Sequence, residues 1–99
     1  MNSDDNTQKL EDVRELIDSV DREIIMLLKQ RSRLVDLVIE IKKETGQNVY
    51  QPERFALLVD QLQEIAKEEE LDSELVIEVW DAIHESSQRQ QNKVLKKKK

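Results

Sequence analysis

Apolar residues recur at a 3-4 spacing through the first half of the chain, at positions 10, 13, 17, 20, 24, 27, 34, 38 and 41. The one break in this seam is Arg31. No Gly or Pro interrupts residues 9–45. A seam kept over five heptads therefore predicts a single helix of about 35 residues, roughly 50 Å long at about 1.5 Å per residue. Gly46 suits its C-terminal cap, and residues 46–51 read as a loop. Pro52 then fits the first turn of a second helix, where its missing N–H is harmless and its fixed φ helps. Phe55, Leu58, Val59, Leu62, Ile65 and Ala66 mark one face of that helix. The pattern breaks near Glu70. Asp72 is a good N-cap for a third helix, with Leu71 placed to staple onto Val76. The inward stripe of this helix, Val76, Trp80 and Ile83 with Val79 beside it, continues in the same steps to Ser87 and Gln91.

These elements predict an all-α fold of three helices, one long and two shorter. Two shorter helices cannot cover both the seam and the flanking Leu16, Leu28, Val35 and Leu37 of so long a helix. A second copy can, so the pattern predicts an intertwined homodimer with antiparallel long helices. Along the chain, residues 1–8 read as a flexible N-terminus, 9–92 as the helical domain and 93–99 as a basic tail.

Composition narrows the chemistry. With 38% charged and 3% aromatic residues the chain is polar, but its apolar positions are periodic, which marks a folded helical protein rather than a disordered one. There is no cysteine and one histidine, His84. Disulfides, thiolate chemistry and zinc or haem sites therefore lack ligands, and no metal or other cofactor is expected. No apolar run reaches the roughly 20 residues that span a bilayer, and the polar start has no signal-peptide core. The expectation is a cytoplasmic protein that does not enter a membrane. Net charge is −6, and −10 without the lysine run Lys96–Lys99. Such an acidic body repels phosphate backbones, so nucleic acid is not an expected partner.

Three cations lie on or beside the apolar seam. With Leu10 at heptad position a, Arg31 is also at a, while Arg14 and Lys42 fall at e. An unpaired guanidinium in a buried seam is costly, so Arg31 expects an anion, supplied by the protein or by a ligand. Lys42 lies roughly 16 Å further along the helix, close enough for two long side chains to bracket a small dianion. Arg14 is roughly 25 Å from Arg31 and reaches that place only from a second, antiparallel chain. Ser87 and Gln91 offer uncharged hydrogen bonds to the same kind of pocket. Plainer readings stand beside these. A seam arginine also serves as a register device, flanking cations also snorkel or pair at the surface, and polar residues near a chain end also mark a fraying helix. Trp80 reads as core, and His84 as an interface or surface histidine. No Ser/His/Asp order, glycine-rich phosphate loop or metal spacing suggests another chemistry.

The runs Val13-Arg14-Glu15-Leu16-Ile17-Asp18-Ser19-Val20-Asp21, Leu27-Leu28-Lys29-Gln30-Arg31, Ile41-Lys42-Lys43, Pro52-Glu53-Arg54 and Ile83-His84-Glu85-Ser86-Ser87, with Gln91, closely resemble the all-helical chorismate mutases over residues 9–92. The resemblance implies two intertwined chains that share two active sites and convert chorismate to prephenate without a cofactor. It implies that Arg31 and the partner chain's Arg14 take the carboxylates of a dicarboxylate substrate. Lys42 and Gln91 then address the ether oxygen, Ser87 assists at a carboxylate, and Arg54 lies at the pocket wall. Gln51 stands where many members have Asp, at a contact that backbone N–H can make. Phe55 stands where the family usually has an acid that receives the ring hydroxyl. That departure keeps open an isochorismate pyruvate lyase and a mutase of an amino analogue of chorismate. Gln51, Arg54, Phe55 and the Ile83-His84 pair also resemble mutase domains fused to an aromatic-pathway synthase, which makes such a synthase a candidate partner. A catalytically idle helical dimer acting as a binding or regulatory module is the reading from outside enzymology.

Overall fold

The computed structural model describes residues 2–95, with the side chains of residues 2 and 3 left aside, and every regular element in that range is a helix. Helix α1 runs Asn2–Thr45, α2 runs Pro52–Glu68 and α3 runs Ser73–Leu95. The lysines Lys96–Lys99 of the expected basic tail lie outside the described residues, whereas Lys93 belongs to the last turn of α3. Helix α1 begins seven residues before the start expected at Lys9. The apolar seam starts only at Leu10 and carries no information about the polar turns before it. Those turns suit a helix: Asp4 and Asp5 complement the positive end of its dipole, and Gln8 donates to Asp12 one turn on at 3.0 Å.

The chain divides between Leu34 and Val35 into two compact units. The first is the N-terminal part of α1, and its apolar residues Leu10, Val13, Ile17, Val20, Ile24 and Leu27 are all about half exposed. The second unit contains the last turns of α1 together with α2 and α3, which pack on each other. Its buried apolar residues are Val35, Ile39, Ala66 and Val76.

Within this second unit α1 turns inward a face other than the predicted seam. Val35, Ile39 and Lys42, at i, i+4 and i+7, are buried, while the seam residues Val38 and Ile41 are exposed. The end of α1 thus carries two apolar stripes, and its own chain covers one. Gln90 of α3 donates to Asp36 at 2.8 Å and holds the two helices in this register.

Both breaks end helices in defined ways. The N–H of Gly46 donates to Lys42 O at 2.8 Å with φ at 73°, a left-handed C-terminal cap that glycine adopts without strain. After α2 the chain forms a Schellman motif, with Leu71 N–H bonded to Ala66 O at 2.8 Å and Glu70 N–H to Lys67 O at 3.2 Å. Here the left-handed position is Glu70, at φ 55°. A β-carbon is disfavoured there, and a carboxylate at a helix C-terminus opposes the dipole. Glu70→Gly is therefore expected to stabilise the protein by about 0.5–1 kcal/mol, net of the extra freedom glycine gives the unfolded chain. Thermal melts at one fixed protein concentration check this, and an unchanged or lower midpoint would contradict the strain. Asp72 caps α3 as its position predicts: Oδ1 accepts from the N–H of Glu74 at 3.1 Å.

Candidate active site

The stripe predicted on α3 faces inward over its whole length. Val76 and Gln91 are buried, and Trp80, Ile83 and Ser87 are half-buried. Two polar residues at the end of an apolar stripe therefore sit where apolar side chains would ordinarily pack, and a buried amide must find partners.

Gln91 finds Lys42. Each is only 8% exposed, and Lys42 Nζ donates to Gln91 Oε1 at 2.7 Å. The same ammonium donates to Val49 O at 3.0 Å, so one cation ties the last turn of α1 to the following loop and to the end of α3. Burial pushes the lysine below its ordinary pKa of 10.5, because desolvation disfavours the charged form. Two consequences follow for chemistry. The ammonium has a third N–H beyond the two already engaged. With one lone pair of its oxygen engaged by Lys42, Gln91 keeps an amide nitrogen that can donate, so the pair offers N–H groups of both residues. Such an array suits an oxygen that gains negative charge.

The start of α2 supplies a second group of candidates. Gln51 is the N-cap residue, half-buried and extended at φ −126°, ψ 90°, and no side chain caps the helix. Arg54 follows in the first turn, exposed. Both line an open depression of about 550 Å³ that includes Gly46, Gln47, Tyr50 and Pro52. Uncapped N–H groups beside a guanidinium favour a carboxylate.

The structure thus joins Lys42 and Gln91 directly and puts Ser87 on the same face one turn before Gln91. Arg14 and Arg31 belong to the other unit, where Arg31 is half-buried and Arg14 exposed. Phe55, in place of the usual acid, does not point into open space: its ring stacks on His84 at 4.0 Å between centroids and 28° between planes. Tyr50 meets the same imidazole edge-on at 6.0 Å. His84 is half-buried in this cluster, a role the sequence reading missed. The available signal was the placement of Tyr50 and Phe55 at the N′ and N4 positions of α2, where a hydrophobic staple closes a helix start.

Among the described residues no helix is long and apolar enough to cross a membrane. No solved structure matches the chain. The family model for chorismate mutase type II matches residues 13–92. The chorismate mutase of Methanocaldococcus jannaschii is 30% identical over 88 residues, which are 89% of either chain. The bifunctional chorismate mutase/prephenate dehydratase of Buchnera aphidicola is 32% identical over 84 residues, 85% of this chain and 22% of that one. The T-protein of Haemophilus influenzae is 45% identical over 47 residues, 48% of this chain and 12% of that one. With three helices among the described residues, an inward polar stripe and a family match from Val13 to Asn92, the chain belongs to the chorismate mutase type II family.

Proposed function

We propose that this chain rearranges chorismate to prephenate at a site that presents only cations and hydrogen-bond donors to the substrate. The buried Lys42 and Gln91 pair is the observation that carries the reading. In the rearrangement the ether C–O bond breaks as a C–C bond forms, and negative charge grows on the ether oxygen. No nucleophile takes part. The protein's task is to hold the reactive conformer and to meet that charge with fixed donors. Lys42 and Gln91 meet the ether oxygen. Arg31 and Arg14 of the partner subunit take the carboxylates, helped by Ser87, and the start of α2 with Gln51 and Arg54 closes the binding side. Gln91 is an amide and stays a donor through physiological pH, where a glutamate would have to be protonated first.

The homodimer is part of the proposal. All nine apolar seam residues of α1, from Leu10 to Ile41, are between 39% and 61% exposed in the single chain. Soluble monomers rarely leave a continuous apolar surface of this kind uncovered. Antiparallel pairing of the long helices covers it and brings Arg14 of one chain towards the Arg31 region of the other. The protein acts in the cytoplasm under this reading, and an aromatic-pathway synthase is its candidate partner.

Purified protein is expected to consume chorismate and release prephenate when chorismate and isochorismate are assayed side by side. Salicylate from isochorismate, with no prephenate formed, would replace this reading by a pyruvate lyase. Turnover of neither would remove the enzyme reading.

A further inference from the structure

The start of α2 has an unusual construction. Its N-cap residue makes no side-chain cap, so the first turn depends on what its flanking residues touch. Tyr50 and Phe55 flank that turn at N′ and N4, and both rings pack on the imidazole of His84 from α3. The residues enclosed between them include Gln51 and Arg54. On α3, His84 shares its inward face with Ser87 and Gln91, at i, i+3 and i+7. One imidazole therefore joins the wall that holds the Lys42 and Gln91 donors to the turn that carries Gln51 and Arg54.

We propose that His84 is a positioning residue, a flat platform gripped by Tyr50 and Phe55 that fixes the first turn of α2 against the Ser87 and Gln91 face. The proposal rests on the mutase reading for its effect on substrate, but its structural core does not. A loosened turn leaves Lys42 and Gln91 in place while Gln51 and Arg54 lose their aim, so binding suffers more than the chemical step. The imidazole acts here through its shape and its stacking surface. Another aromatic ring can do the same, and an aliphatic stub cannot.

The test compares His84→Ala, His84→Phe and Phe55→Ala in the full chain. In His84→Ala and in Phe55→Ala, KM for chorismate is expected to rise about tenfold with kcat within about threefold of the parent, the pattern of lost uniform binding. His84→Phe is expected to restore KM. The amide of Phe55, which donates to Gln51 O at 3.1 Å, reports the turn without any turnover. Its hydrogen exchange is expected to quicken about tenfold in His84→Ala, while amides in the middle of α2 keep their protection, as for a local opening. Unchanged KM and unchanged exchange in His84→Ala would overturn the proposal. So would a His84→Phe variant as impaired as His84→Ala, because the imidazole would then act by its chemistry. If the parent protein turns over no chorismate, the mutase reading falls and the exchange of the Phe55 amide alone decides the positioning role.

Discussion

Lys42→Ala is expected to lower kcat by about a hundredfold to a thousandfold, the usual consequence of removing one preorganised donor from a site where charge develops. Lys42 is a demanding case because two effects act together. Lys42 is 8% exposed as a residue, burial disfavours its charged form, and a cation drawn out of water interacts more strongly with a growing negative charge. It also holds Gln91 Oε1 at 2.7 Å, so its loss lets the amide turn and removes a second oriented donor. Lys42→Arg keeps the charge, but its planar fork does not fit a pocket shaped around Gln91 and Val49 O, and most of the loss is expected to remain. Circular dichroism and molecular mass must show that the helices and any dimer survive. A folded variant with near-parental kcat would refute the role of Lys42. The pH profile carries the same argument with a definite sign. Lys42 donates as the ammonium, present below its pKa and lost above it, and burial sets that pKa below 10.5. The kcat/KM profile, which reports the free enzyme, is expected to fall on the alkaline side before pH 10.5. A bound dianion favours the ammonium, so the matching fall in kcat comes at higher pH.

The sequence made the α3 stripe readable because a 3-4 period maps directly onto one helical face, and Ser87 and Gln91 were visible as polar residues where that period continued. The end of α1 at Gly46, the start of α2 at Pro52 and the Asp72 cap were readable for a similar reason, since Gly, Pro and Asp mark backbone conformations locally. Helix α1 shows where periodicity stops helping. It carries the Leu10 to Ile41 seam and a second stripe at Val35 and Ile39, and spacing does not say which stripe the chain covers for itself. The second unit buries Val35, Ile39 and Lys42 and leaves the longer seam open. The helix start at Asn2 was hidden because polar turns have no period to read. The His84 cluster was hidden for another reason: Tyr50 and Phe55 mark a staple, but the residue that fills it comes from α3, a contact that no local pattern encodes. Phe55 was visible as a departure from the family, and the structure adds the stack that occupies it.

Arg14→Ala and Arg31→Ala are each expected to be nearly inactive alone, and to regain activity when the two proteins are unfolded together and refolded as a mixture. A shared site needs Arg31 of one chain and Arg14 of the other. A homodimer of either variant lacks one arginine at both of its sites. In a mixed dimer one site receives both substitutions and the other receives neither. Random pairing of equal amounts makes about half of the dimers mixed, each with one intact site, so the mixture should reach about a quarter of parental activity. The number separates the readings. If each chain builds its site from its own Arg14 and Arg31, no pairing yields an intact site and the mixture stays inactive. If Arg14 is only a snorkelling or salt-bridged surface residue, Arg14→Ala is active before any mixing. The exposed seam is the reason unfolding is included: if the proposed dimer covers these nine apolar positions of α1, the partner is not expected to leave on the timescale of an assay. Recovery on simple mixing, without denaturant, would mean that the seam is not buried between chains in the way proposed, even if the quarter were reached.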